Sequence, residues 1–189
     1  MRRVPRVENG RNKKGLAASA KECAYIAVFV AFTIAAQLAL SFIPGVEIVT
    51  VLFVSFSYAF GIKRGMAAAT AFSLLRQIVF GFYPVVLVLY LVYYDALAAV
   101  CGALGRSKKK GTERLPQTIV TACVCTVGFT MLDNLLTPLW YAFSWNTTRA
   151  YFISSLPFML AQTACVGLTV ATLFLPLNKV FTAASRTLS

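Results

Sequence analysis

Residues 24–40 read AYIAVFVAFTIAAQLAL, an apolar stretch without a charged side chain. An α-helix needs roughly 20 such residues to cross a bilayer. Similar stretches recur along the whole chain, so the first one is typical of the rest. We therefore predict an all-α integral membrane protein.

The composition supports this class. Of the 189 residues, 59% are hydrophobic and only 13% are charged, whereas a soluble domain usually carries about 25% charged residues. We expect a single domain, a bundle of six transmembrane helices. The predicted spans lie near residues 22–43, 46–61, 65–82, 84–105, 117–139 and 150–177.

The basic residues predict the orientation of the bundle. With six spans, 16 of the 18 Lys and Arg side chains lie on one face of the membrane, and cytoplasmic loops are the ones enriched in these residues. Both termini are then cytoplasmic in the cell membrane, with a basic tail over 1–20, a membrane domain over 21–178 and a short tail over 179–189. The net charge of +12 thus reports topology, and we expect no nucleic-acid partner.

The first span has a face of small side chains. Alanines recur at every third or fourth position, and such residues lie on one side of a helix. In lipid, small residues let two helix backbones approach closely. The face predicts either a tight contact inside the bundle or a docking surface for another membrane subunit. Its members are Ala24, Ala27, Ala31 and Ala35, extended by Ala20 and Ala39.

Common catalytic and cofactor motifs are missing from the sequence. There is no histidine, which removes the commonest general base and metal ligand, and no Gly-rich phosphate loop. We interpret the five cysteines as small apolar side chains. We therefore expect no catalytic residue, metal or cofactor, and no ATP hydrolysis by this chain.

Charged residues inside the predicted membrane are candidates for function because their burial is expensive. Arg76 lies ~16 Å and Asp95 ~15 Å from the inner face, at 1.5 Å per residue. They belong to consecutive antiparallel spans, so we predict an Arg76–Asp95 ion pair. The pair would be either a structural bridge or part of a ligand site.

A second group of polar residues is predicted in the outer half of the membrane. Asp133 at ~25 Å and Gln37 at ~24 Å lie at one level, and Glu47 begins the second span after the Pro44-Gly45 turn. Polar groups that converge in an apolar wall are typical of a small-molecule site, although each could make an ordinary contact between helices. The substrate-binding candidates are Gln37, Glu47, Arg76, Tyr83, Tyr94, Asp95, Asp133, Asn134, Trp140 and Gln162. The outer aromatics among them are equally consistent with an interfacial belt.

The sequence resembles the substrate-binding S-components of energy-coupling-factor transporters. The resemblance covers roughly residues 20–178. It rests on the six spans, the AxxxA face, the "PGVEIV" re-entry after the first span and the stretch from "GIKRG" through "FGFYP" to "GALGR". It implies a six-helix protein that binds a vitamin or related micronutrient from outside. It also implies docking of Ala24, Ala27, Ala31 and Ala35 on a membrane T-component that works with two cytoplasmic ATPase subunits.

Other functions remain open from the residues alone. Asp95 and Asp133 could form the carboxylate pair of an intramembrane enzyme, but their depths differ by ~10 Å, which is far for a shared proton. A stand-alone secondary transporter is a second alternative, although no internal repeat of the kind common in such transporters is evident. A scaffold subunit is a third.

Overall fold

The computed structural model describes residues 8–43, 47–106 and 111–187, with side chains from residue 20 onward. Within these ranges the chain is helical and contains no strand, which confirms the all-α part of the prediction. The helices are α1 (Glu8–Leu40), α2 (Val49–Phe60), α3 (Ile62–Phe80), α4 (Pro84–Gly105), α5 (Gly111–Trp140) and α6 (Trp145–Arg186).

Glycine and proline set several of the helix ends. Gly61 (φ 82°) separates α2 from α3, and Gly81 (φ 96°) ends α3; a positive φ is readily adopted only by glycine. Pro84 starts α4, where its missing N–H costs no helical hydrogen bond. α1 and α6 extend beyond the predicted spans, and the predicted Pro44-Gly45 turn lies outside the described residues.

Four helices are long and apolar enough to cross a membrane. These are α4, α5, α6 and the Ala20–Leu40 part of α1. α2 has only 12 residues, and α3 carries Lys63, Arg64 and Arg76. Length and composition thus support a membrane protein, whereas six spans and the orientation stay predictions.

α2 is the central helix of the bundle. Ten of its 12 residues are buried, and it contacts each of the other five helices. The Phe53 ring packs edge-on against Phe29 of α1 and Phe72 of α3, at centroid distances of 5.2 Å in both cases. A helix that is apolar on all sides lies inside a protein or spans a membrane, and the contacts of α2 with the other five helices place it inside the bundle.

Glycines bring three helices into backbone contact at one end of the bundle. A Cβ built on Gly102 of α4 would lie 2.6 Å from the backbone nitrogen of Ile62, and one built on Gly105 would overlap the carbonyl oxygen of Tyr58. A Cβ on Gly65 would lie 2.6 Å from the Ser57 hydroxyl. The end of α2, the start of α3 and the end of α4 therefore fit together only without side chains at these positions.

The two ends of the bundle differ in charge. The end with the glycine contacts also holds seven of the nine basic residues whose side chains are described, and Arg76 and Arg149 lie elsewhere. There Arg64 of α3 forms an ion pair with Glu22 of α1. The opposite end contains the end of α1, the start of α2 and the turns between α3 and α4 and between α5 and α6. The basic residues at the first end are Lys21, Lys63, Arg64, Arg106, Arg114, Lys179 and Arg186.

The alanine face of α1 points away from the bundle. Ala24, Ala27, Ala31 and Ala35 are all exposed. α1 instead buries Phe29, Val30 and Thr33 against the rest of the protein. The first alternative from the sequence, a tight contact inside the bundle, is therefore wrong for these four alanines.

Candidate functional site

A cavity of about 400 Å³ opens at the end of the bundle opposite the basic residues. All six helices and the connection between α1 and α2 contribute to its wall. Five of the predicted site residues line it, and they come from widely separated parts of the sequence. These five are Gln37, Glu47, Arg76, Tyr94 and Gln162.

Glu47 lies in the connection just before α2, and three helices hold its carboxylate. Gln162 of α6 donates from Nε2 to Oε2 at 2.6 Å. The Tyr94 hydroxyl of α4 donates to Oε1 at 3.2 Å, and the Thr50 hydroxyl of α2 donates to the same oxygen at 2.9 Å. Because the Thr50 proton goes to Glu47, the Tyr93 hydroxyl at 3.2 Å donates to Thr50. Neutral donors thus surround a half-buried negative charge.

Arg76 of α3 lies between aromatic rings on another side of the cavity. Its guanidinium carbon is 4.6 Å from the ring centroid of Phe80 and 4.3 Å from that of Tyr90, close enough for cation–π attraction. Its Nε donates to Gln37 Oε1 at 3.1 Å, and Gln37 Nε2 donates to the Tyr90 hydroxyl at 3.3 Å. Among the described side chains, no carboxylate forms an ion pair with Arg76.

Aromatic rings form the wall of the cavity contributed by α4 and α5. Tyr93 packs against Tyr94 and Phe129 with centroid distances of 4.8 Å in both cases. Tyr90 lies 5.2 Å from Tyr94 and 5.9 Å from Phe129. The contacts among these four residues join them into one apolar wall beside the two charged groups.

The sequence reasoning missed five of the aromatic residues that line the cavity, namely Phe80, Tyr90, Tyr93, Phe129 and Phe158. Tyr90, Tyr93 and Tyr94 are spaced as neighbours on one side of a helix, so their pattern in "YLVYYD" was a usable signal. Phe129 and Phe158 are single aromatic residues in apolar helices. Nothing in their local sequence separates them from other phenylalanines of the chain.

Asp133 lines a neighbouring cavity of about 300 Å³ between α5 and α6. The two cavities share Phe129, Phe158 and Gln162 in their walls. Asp133 accepts hydrogen bonds from Thr137 and from the Tyr151 hydroxyl, both at 2.7 Å. It is therefore close to the first cavity but does not line it.

Four other candidates lie outside both cavities. Asn134 is buried between α5 and α6 and donates to the Ser155 hydroxyl at 2.8 Å. Tyr83 and Trp140 are 54% and 58% exposed, and the alternative that they belong to an interfacial belt stays a prediction. The fourth is Asp95.

The predicted ion pair between Arg76 and Asp95 is wrong. Asp95 accepts from the Thr70 hydroxyl at 3.2 and 3.3 Å, whereas Arg76 contacts Gln37, Phe80 and Tyr90. Thr70 and Arg76 are six residues apart, about 240° around a helix of 3.6 residues per turn. Equal depth in the membrane thus did not place the two charges on facing sides. Asp95 and Asp133 also have separate partners on different helices and share no hydrogen bond.

A double-mutant cycle on unfolding free energy checks this correction. We expect Arg76→Leu and Asp95→Ala to be additive within about 0.5 kcal/mol, as for groups that share no partner. Thr70→Val and Asp95→Ala should couple by about 0.5 kcal/mol or more, because they remove one hydrogen bond. Denaturation in detergent supplies the four free energies of each cycle. Strong coupling between Arg76 and Asp95 would instead support the predicted ion pair.

The described residues contain no group of three or more His, Cys, Asp or Glu side chains placed to hold a metal ion. The five cysteines are free thiols. Cys101 is buried, as expected for a small apolar side chain, whereas Cys23 is exposed. The groups that line the cavity include a carboxylate, a guanidinium and aromatic rings.

Comparisons with protein-family models, with curated proteins and with solved structures find no match to this chain.

Proposed function

We propose that the chain is the substrate-binding subunit of an ATP-driven importer of the energy-coupling-factor type. It captures a vitamin or related micronutrient from outside the cell and passes it inward together with partner subunits. The observation that carries the proposal is the cavity, in which Glu47 and Arg76 face a common space at one end of an apolar helical bundle. A few polar groups in a concave apolar wall are typical of small-molecule sites.

The charge distribution supports an outward-facing cavity. Seven of the nine basic residues with described side chains lie at the end opposite the cavity, the exceptions being Arg76 and Arg149. Such residues are enriched on the cytoplasmic side of membrane proteins. With six spans in the cell membrane, both termini are cytoplasmic and the cavity opens to the exterior. Ligand capture from outside follows from this orientation.

The exposed alanine face of α1 supports association with a second membrane protein. Small side chains at Ala24, Ala27, Ala31 and Ala35 leave room for a helix of a partner to approach the α1 backbone. In the proposed importer this partner is the T-component, which connects the chain to two cytoplasmic ATPase subunits. These subunits supply the energy, since the chain has no nucleotide-binding motif of its own.

Mass spectrometry of small molecules released from the purified protein tests the binding function. The protein is isolated in mild detergent, both directly and after soaking with a panel of vitamins. We expect one heterocyclic micronutrient at about one molecule per chain. The variant Glu113→Ala serves as a control and should retain this ligand, because Glu113 is exposed outside the cavity. Release of lipid alone under both conditions would reject a solute-binding subunit.

Substitution on the alanine face tests docking separately. We expect Ala31→Trp to abolish co-purification of the T-component and substrate uptake while ligand binding stays unchanged, because the indole would hold the partner helix away. Ala171→Trp is the matched control, since Ala171 is an exposed alanine in the middle of α6. Equal loss of co-purification in both variants, or normal association of Ala31→Trp, would contradict docking on this face.

A further inference from the structure

The cavity contains two opposite charges that the protein keeps apart. Glu47 and Arg76 line the same space, yet neither is hydrogen bonded to the other. Among the described residues, each is held by neutral groups only. Opposite charges attract each other more strongly in a half-buried site than in bulk water, so two separated charges leave a strong interaction available to a ligand.

The Glu47 carboxylate can accept one more hydrogen bond. Two oxygens offer about four acceptor positions, and Thr50, Tyr94 and Gln162 occupy three of them. These donors are neutral, so they orient the carboxylate without compensating its charge. A cationic N–H group of a ligand would do both.

The Arg76 guanidinium has donors to spare. It carries five N–H groups in a planar fork, and the Nε donor is the one bonded to Gln37. The rings of Phe80 and Tyr90 hold the plane of the fork. A fork fixed in this way suits a carboxylate, which can accept two parallel hydrogen bonds from the terminal nitrogens.

The wall beside the two charges selects for a flat molecule. Tyr90, Tyr93, Tyr94 and Phe129 present aromatic surfaces in one continuous cluster. Aromatic rings pack well against one another in offset or edge-to-face arrangements. A planar aromatic body therefore fits between the charged groups better than a flexible polar chain does.

We propose that the cavity binds an aromatic zwitterion, a flat ring system with a carboxylate for Arg76 and a basic nitrogen group for Glu47. This rests on the proposed solute-binding function and narrows its substrate class. A simple anion would leave the negative charge of Glu47 uncompensated. A simple cation would leave the positive charge of Arg76 uncompensated. A zwitterion matches both charges and adds no net charge to a site set among apolar helices, where uncompensated charge is costly.

Three naphthalene probes test whether Glu47 and Arg76 each bind a ligand group. Each probe carries at most one charge, so the result does not depend on the distance between the two residues. The probes are 2-naphthoate, naphthalene-2-carboxamidine and the neutral 2-naphthamide, titrated by calorimetry into the full-length protein in detergent. In the wild-type protein, we expect both charged probes to bind about ten-fold or more tightly than the amide, because charge-assisted hydrogen bonds are stronger than neutral ones. Amide binding equal to that of either charged probe would overturn the proposal.

Two variants then assign each probe to its residue. Arg76→Gln should weaken the binding of 2-naphthoate by about ten-fold or more and leave the binding of the amidine unchanged. Glu47→Gln should weaken the binding of the amidine and leave that of 2-naphthoate unchanged. If a folded Arg76→Gln protein bound neither probe, the assignment of the two probes to two different residues would be contradicted. Should Glu47→Gln fail to fold, the ranking of the probes in the wild-type protein still decides the question.

The released small molecule separates failure of this class from failure of the proposed function. A stoichiometric ligand that lacks a carboxylate or a basic nitrogen would reject the zwitterion and keep a solute-binding subunit. Absence of any released or soaked ligand would reject both.

Discussion

Replacement of Glu47 by alanine should strongly destabilise the protein in detergent and abolish ligand binding. The variant removes the acceptor of three hydrogen bonds, from Thr50, Tyr94 and Gln162. A hydrogen bond to a charged group contributes about 1.5–3 kcal/mol, and the three donors would remain in a half-buried site without a partner. We expect the free energy of unfolding to fall by at least about 3 kcal/mol.

Chemical denaturation followed by circular dichroism measures this effect. Glu113→Ala serves as the control, because Glu113 is exposed on the first turn of α5 and surface changes usually stay within about 0.5 kcal/mol. Tyr94→Phe removes one of the three donors and should cost less than Glu47→Ala. A stability of Glu47→Ala equal to that of Glu113→Ala would mean that the carboxylate does not join α2, α4 and α6.

Replacement of Gly105 or Gly102 by alanine should destabilise the protein by about 3 kcal/mol, at the upper end of the usual cost of overpacking. The added methyl group would overlap the Tyr58 carbonyl oxygen in the first case and lie 2.6 Å from the Ile62 nitrogen in the second. Both obstacles are backbone atoms, which cannot move aside by changing a rotamer. The helices would have to separate, with loss of packing along α2.

Gly128→Ala is the matched control for these two variants. It makes the same change within helix α5, and a Cβ at Gly128 would meet nothing within 4 Å. Since alanine favours a helix over glycine by about 1 kcal/mol, the control should be neutral or stabilising. Thermal unfolding of the three variants gives the comparison. Similar melting temperatures in all three would refute a glycine-dependent contact of α2, α3 and α4.

The helices themselves could largely be predicted from the sequence. The fourth apolar stretch, which starts at Pro84, predicted the observed bounds of α4, and the short second stretch corresponds to α2. These features are local: a helix ends where the backbone lacks a donor or adopts a positive φ. The helices α1 and α6 are longer than the predicted spans because each continues beyond its apolar segment into more polar sequence.

The cavity could be predicted in part, because distance along a helix gives depth but not direction. Depth grouped Gln37 with Glu47, and both line the cavity, but it placed Arg76 in a separate group nearer the middle of the membrane. Pairing of Arg76 with Asp95 also requires both side chains to point at each other, and this depends on how α3 and α4 are rotated. Phe53, Phe72 and Tyr94 set that rotation through contacts between distant segments, which no single stretch of sequence contains.

The unequal support of the two charged residues has an evolutionary consequence. Glu47 is bound by three helices, so its loss would damage the architecture as well as the site. Arg76 is held by Gln37 and two rings, so it can be exchanged at little structural cost. If the cavity binds a solute as proposed, a descendant of this protein would acquire a new ligand by changes at Arg76 and Gln37, whereas Glu47 would be retained.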